Sequence, residues 1–240
     1  MQHKTFQYIN SIMKYIIFDF DGTIGDSKAL IVRTFQDSMR RMGKEVKSAE
    51  ECAGTIGMRL SEAFALLYNT SIEEGERCAD VYHEIFLENM ASLGMQPFPH
   101  VIDTIKELHH RGFILAVASS RGRDSLLDLI RQMGFEDCIS SVVAQEDVTR
   151  VKPEPDMVFR ALMEIAGRKT GKDNCHVLPD DLKEMLKETV VVGDMTFDVD
   201  MAHNAGVKAI AVTYGNGSRE QLASAEWLVD DFAEILDIVG

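Results

Sequence analysis

The sequence predicts an α/β fold: a doubly wound, mainly parallel sheet carrying an inserted all-helical segment. Three observations predict it. Apolar runs without alternation recur along the chain, as strands covered on both faces require. Amphipathic helical stretches separate them, which implies right-handed βαβ crossovers. Between the first run and the second, residues 27–95 carry helical patterns only.

The elements follow in order. Residues 1–12 show no period, so the folded part is expected to begin near Met13, with 1–12 a loose extension. Tyr15-Ile16-Ile17-Phe18 reads as a buried strand ended by Asp19. Helical spacing then predicts helices over 28–42, 59–67 and 73–92. They suggest a small second domain over 27–96, with hinges near 24–27 and 95–98, the latter holding Pro97. The remaining domain takes in 1–26 and 97–240. A helix over 99–111 presents Val101, Ile102, Ile105 and Leu108 and stops at Gly112. The run 113–118 ends at Ser119-Ser120, and a helix over 123–133 stops at Gly134. Residues 141–144 read as a further strand, and 155–166 as a helix before Gly167. A polar, glycine-bearing stretch over 168–188 reads as a surface elaboration whose Pro179-Asp180-Asp181 opens a short helix. Thr189 to Val192 is a strand ended by Gly193-Asp194. A helix over 196–205, a strand over 207–212 and a helix over 231–238 complete the chain.

Composition narrows the partners. The 240 residues include 25 Lys and Arg against 39 Asp and Glu, a formal net charge of −14. Such a chain has no overall attraction to nucleic acid or to an anionic membrane surface. No apolar run approaches the ~20 residues that a spanning helix needs. The cysteines Cys52, Cys78, Cys138 and Cys175 are too far apart in sequence for a zinc motif. Scattered thiols without an export signal suggest a reducing cytoplasm.

In a doubly wound sheet, ligands bind outside the carboxyl ends of the strands. Asp19, Asp21, Ser119, Asp194 and Asp198 all fall there, and Lys152 opens a helix nearby. Carboxylates gathered at one point repel unless a cation joins them. A small set of hard oxygen ligands favours Mg²⁺. A lysine and a hydroxyl beside it supply donors for a phosphate. Gly22 and Gly193 allow close backbone approach.

These residues carry a family resemblance. Asp19-Phe20-Asp21-Gly22-Thr23 resembles the first motif of the haloacid dehalogenase-like superfamily, and Ser119 after its strand resembles the second. Lys152-Pro153 resembles the third, and Gly193-Asp194 with Asp198 the fourth. The four stand in the family's order. The helical insertion resembles the cap of the phosphoglycolate phosphatase and β-phosphoglucomutase branch, and Gly54 to Leu60 resembles its substrate-facing loop. The resemblance implies a Rossmann-like core and a Mg²⁺-dependent phosphatase acting on a small phosphorylated metabolite. It implies Asp19 as nucleophile and Asp21 as general acid and base. Asp19, the Asp21 carbonyl and Asp194 hold the metal, and Asp198 supports Lys152 or a metal-bound water. Ser119, Lys152, Gly22, Thr23 and Ser120 are expected at the phosphate, although Ser120 also reads as a helix cap. Arg59, on the cap loop, is a candidate substrate contact. Arg121 and Arg123 read as solvated surface groups. A monomer or homodimer is expected.

Three other readings are open. Transfer to a second hydroxyl of a sugar would make a mutase, and a pyrophosphatase lies in the same branch. A non-catalytic binding protein would have lost one of the carboxylates, and none is lost. A dehalogenase is disfavoured, since that branch lacks the acid that Asp21 supplies.

Overall fold

The computed structural model describes residues 13–240, and the expected loose extension over 1–12 falls outside them. Six parallel strands form the main sheet in the order β5-β4-β1-β6-β7-β8. They are β1 (Tyr15–Phe18), β4 (Ile114–Ala118), β5 (Ile139–Val143), β6 (Thr189–Gly193), β7 (Lys208–Val212) and β8 (Trp227–Val229). From central β1 the chain runs outward through β4 to β5, then returns to β6 on the other side of β1. That reversal places a crevice at the carboxyl ends of β1, β4 and β6.

Alternation along β1 sorts the core into two layers. Ile16 and Phe18 face a layer with α5 (Val101–His110), α6 (Arg123–Gln132) and α10 (Ile235–Val239). Tyr15 and Ile17 face a layer with α7 (Asp156–Ile165) and α9 (Thr196–Ala205). Every residue of β1 is buried, which is why the strand reads as an unbroken apolar run.

Four helices lie between β1 and α5 in sequence: α1 (Lys28–Arg41), α2 (Ala49–Ala53), α3 (Leu60–Tyr68) and α4 (Ile72–Leu93). Phe35, Phe64 and Tyr82 hold this block together, with Phe35 4.9 Å from each of the other two rings. Ser48 opens α2 with a capping box to Glu51, and Ser71 caps α4. The expected hinges are not plain loops. Gly25–Asp26 (β2) and Gln96–Pro97 (β3) pair as a short antiparallel ribbon joining both connections.

Two further differences have simple causes. The closing helix is shorter than its apolar pattern. The Asp231 side chain accepts the Ala233 N–H at 2.8 Å, which favours a tight turn over Phe232–Glu234 before α10. The 168–188 stretch is more than a surface loop. Cys175, Leu178 and Leu182 are buried in the α7–α9 layer, and His176 meets the buried Asp156 at 2.5 Å. Its second half forms a turn at Asp180–Leu182 and a short helix, α8 (Lys183–Lys187), as expected. All four cysteines are free and buried. Among the described residues no helix is long and apolar enough to cross a membrane.

Candidate active site

β1 delivers Asp19 to the crevice, where its main-chain N–H donates to Val192 O of β6 at 2.8 Å. Its side chain is buried, 7% exposed. Lys152, also buried, donates from Nζ to Asp19 Oδ1 and to Asp198 Oδ1, the latter at 2.7 Å. The other oxygen of Asp198 accepts the N–H groups of Asp194 (3.1 Å) and Met195 (3.0 Å). Asp198 therefore stands in the first turn of α9 with both oxygens occupied, holding Lys152 on one side and the Asp194 backbone on the other. Gly193 makes this possible, because a Cβ there would lie 2.2 Å from Asp198 Cβ.

Asp194 is fixed from two sides. Its Oδ2 accepts the Asn216 N–H at 2.6 Å and the Asn216 side-chain amide at 2.9 Å. Its Oδ1 accepts the Thr23 hydroxyl at 3.2 Å. Thr23 and Gly22, expected beside a phosphate, thus lie against Asp194 instead. The Gly22 N–H is taken by Gly25 O at 2.9 Å.

One oxygen each of Asp19, Asp194 and Asp198 lie within 4.8 Å of one another. Burial raises Asp19 well above the ordinary carboxyl range. Lys152 pulls it down, and the charges of Asp198 and Asp194 push it up again. Burial, then the charge of Asp198, pushes Asp194 up to about 7, against the hydrogen bonds from Asn216. Burial alone would lower Lys152, but Asp19 and Asp198 outweigh it and hold the ammonium charged. A buried carboxylate pair that resists ionisation fits a hard divalent cation, whose charge would relieve the repulsion. Asp19 and Asp194 fit as its ligands. Asp194 receives only neutral donors, Thr23 and Asn216, which leave its charge for a cation. Asp198 is tied to the Lys152 ammonium and to two main-chain N–H groups, which fits a supporting place.

Ser119, 1% exposed, directly follows β4, and its Oγ accepts the Arg121 N–H at 3.2 Å. Ser120 does not cap α6, whose N-cap is Gly122. Its Oγ is buried with no hydrogen-bond partner, and the residue lines a cavity of about 110 Å³. Asp19, Asp21, Ser119 and Ser120 form the floor of that cavity. Phe35, Ile56, Met58, Leu60, Tyr82 and Phe86 of the helical block form an apolar roof. Arg59 is not at this cavity. It lines a neighbouring cleft of about 420 Å³ and reaches Gln145 O at 3.4 Å.

Two residues of the site escape sequence reasoning. Arg121 is no surface group: its side chain is 8% exposed and holds both oxygens of Asp21, Nε to Oδ2 at 3.0 Å and Nη2 to Oδ1 at 2.5 Å. Its place directly after Ser119-Ser120 at a strand end is the available signal. Asn216 is the second. A polar residue between Gly215 and Gly217, just beyond β7, marks a strand-end loop of the kind that approaches a ligand. Arg123 turns instead to Asp147.

The profile of a family described as haloacid dehalogenase-like hydrolase matches residues 16–212. The chain belongs to the haloacid dehalogenase-like hydrolases. Within them it is 31% identical over 228 residues to the probable phosphatase IndB of Dickeya dadantii, covering 92% of this chain and 91% of that protein. It is 26% identical over 232 residues to the pyrophosphatase PpaX of Halalkalibacterium halodurans, covering 94% and 96%. It is 26% identical over 239 residues to the phosphoglycolate phosphatase of Vibrio vulnificus, covering 95% and 96%. A solved haloacid dehalogenase-like family hydrolase from Streptococcus pneumoniae shares the fold, with a TM-score of 0.75 at 19% identity over 95% of this chain and 99% of that one. The doubly wound sheet of this hydrolase is therefore the family's own.

Proposed function

We propose that this haloacid dehalogenase-like phosphatase hydrolyses a small phosphomonoester in two steps through an aspartyl-phosphate on Asp19. The observation that carries the reading is Lys152, buried between Asp19 and Asp198, with Asp19 itself lining a small cavity. A fixed cation beside a buried carboxylate suits the transfer of a phosphoryl group, whose negative charge must be neutralised at the transition state.

In the first step an oxygen of Asp19 attacks phosphorus, and the bond from phosphorus to the ester oxygen breaks. Asp21 gives its proton to the leaving oxygen. In the second step Asp21 takes a proton from water, whose oxygen attacks phosphorus. The aspartyl–phosphate bond breaks and inorganic phosphate leaves. Lys152, Ser119 and Ser120 hold the phosphoryl oxygens, Ser120 with the hydroxyl that has no protein partner. Mg²⁺, held by Asp19, Asp194 and the Asp21 carbonyl, would neutralise charge on the phosphoryl group. Residues 27–96 act as a cap whose apolar roof excludes water, moving on the β2–β3 ribbon.

The cavity volume favours a small substrate. The relatives named phosphoglycolate phosphatase and pyrophosphatase suggest two substrates of that size, and both carry a second anionic group. Asp19→Asn tests the mechanism. The variant should keep its fold and lose turnover of an aryl phosphate by several orders of magnitude. Full activity in that variant would overturn the nucleophile.

A further inference from the structure

Arg121 poses a geometric problem for the mechanism just proposed. Asp21 must present an oxygen to the leaving group, yet both of its oxygens are held by the Arg121 guanidinium. The third nitrogen, Nη1, donates to Ser125 Oγ at 3.1 Å, so the fork is fixed on every side. The guanidinium carbon lies 4.9 Å from the Phe86 ring centroid, on α4 of the helical block, and 5.8 Å from that of Phe20. The side chains of Arg121 and Asp21 are 8% and 12% exposed. A guanidinium this buried does not give up its carboxylate to water, because an unpaired buried charge is strongly unfavourable. It exchanges it for another anion.

That anion has one place to come from. Arg121 borders the same cavity as Asp19, under an apolar roof, and among the described residues it is the only lysine or arginine lining it. We propose that Arg121 is a substrate-exchanged clamp. It holds Asp21 away from the leaving group until a second anionic group of the substrate takes the guanidinium; the freed carboxylate then takes from solvent the proton that it gives to the leaving oxygen. The inference rests on the phosphatase reading and deepens it. The preferred substrate is a small phosphate ester with a carboxylate or second phosphate close to the ester oxygen. A neutral tail leaves Asp21 clamped and reacts slowly. Arg121 is then a positioning residue as well as a specificity residue.

Matched substrates test this. 2-Phosphoglycolate carries the carboxylate, and 2-hydroxyethyl phosphate replaces it with a neutral hydroxymethyl group. Wild type should favour phosphoglycolate by about a hundredfold or more in kcat/KM, within the range lost when one partner of a buried charge pair is removed. In Arg121→Gln the two substrates should move in opposite directions. Turnover of phosphoglycolate falls, whereas kcat on hydroxyethyl phosphate rises because Asp21 is no longer held. Arg121→Lys keeps the charge but not the fork, and should lie between. It also serves if the glutamine variant folds poorly. Pyrophosphate, an anhydride whose leaving group is itself the second anion, is run beside phosphoglycolate and should also fall in Arg121→Gln if a phosphate can take the guanidinium as a carboxylate does. A structural role for Arg121 would lower both activities together, and that result overturns the clamp. So does a wild type that hydrolyses charged and neutral tails equally well while Asp19→Asn is dead, which leaves the phosphatase reading intact. A wild type that hydrolyses neither these three nor an aryl phosphate overturns both.

Discussion

Gly22 turns with φ of 93°, a backbone region that L side chains rarely adopt. A Cβ at this position would stand 2.2 Å from Asp194 Oδ2 and 2.3 Å from Asn216 Nδ2. Strain and collision act together, so Gly22→Ala is expected to lose about 1–3 kcal/mol of stability. It should also displace Asp194 and lower kcat at least tenfold. Denaturant unfolding and steady-state kinetics check both, and a variant with a wild-type midpoint and wild-type kcat would sink the argument. The same turn shows what a sequence can and cannot say about single residues. Asp19, Asp21 and Asp194 are legible because polar residues at the ends of apolar strands have few structural reasons to be there. Arg121 is not, since an arginine after a strand is exposed by default. Only folding brings it onto Asp21, 100 residues away in sequence. Thr23 is half legible: its neighbourhood is right, but its hydroxyl serves Asp194 and not a phosphate.

Helix α4 crosses α3 at Gly75, and a Cβ there would lie 2.0 Å from the backbone oxygen of Ser61. On an open helix surface, alanine would be better than glycine by about 1 kcal/mol. Here the two helices would have to part, and overpacking of a buried contact costs about 1–3 kcal/mol. The collision is with main chain, which cannot swing aside, so it outweighs propensity. Gly75→Ala should therefore lower the melting temperature by a few degrees, at about 2–4 °C per kcal/mol for a chain of this size. Because α3 begins at Leu60, which lines the cavity, KM should rise as well. A raised melting temperature would show that the helices adjust freely. Elements as a class were legible in proportion to length and burial. β1 and α9 fall where their patterns predict them, the first as an unbroken apolar run and the second before its glycine stop. β2 and β3 have two residues each and no period to detect, and β8 has three. α2 depends on the Ser48–Glu51 capping box more than on any apolar stripe.

At the scale of the whole molecule, a small part of the net charge of −14 is gathered where it is least comfortable. Asp19, Asp194 and Asp198 meet at the sheet's carboxyl edge, with Lys152 as the cation between two of them. The sequence tells that these groups converge, because the topology of a doubly wound sheet forces it. It does not tell how deeply they are buried, because Asp19 lies under a roof from the helical block and Asp194 is enclosed by the distant Gly22 and Asn216. Burial has a consequence that can be measured. In the metal-free protein, Asp194 is pushed up to about 7 from an ordinary 3.8, first by burial and then by Asp198. A carboxyl raised on folding holds its proton more tightly in the folded chain than in the unfolded one. Its contribution to stability is therefore complete below about pH 4 and is lost as pH rises through about 7. Mg²⁺ bound by Asp194 would compete with that proton, so it should stabilise the protein most where the carboxyl is ionised. Near a hundred times its dissociation constant, a ligand adds about 2.7 kcal/mol. For this chain length that amounts to roughly 5–10 °C in melting temperature. A rise of that order is expected on adding Mg²⁺ at pH 8, and a much smaller one at pH 5. Asp194→Asn should show little rise at either pH, and its metal-free form should lose less stability than wild type between pH 5 and pH 8. An equal rise at both pH values would break the link between Asp194 ionisation and the metal. No rise at pH 8 would remove Mg²⁺ from the site.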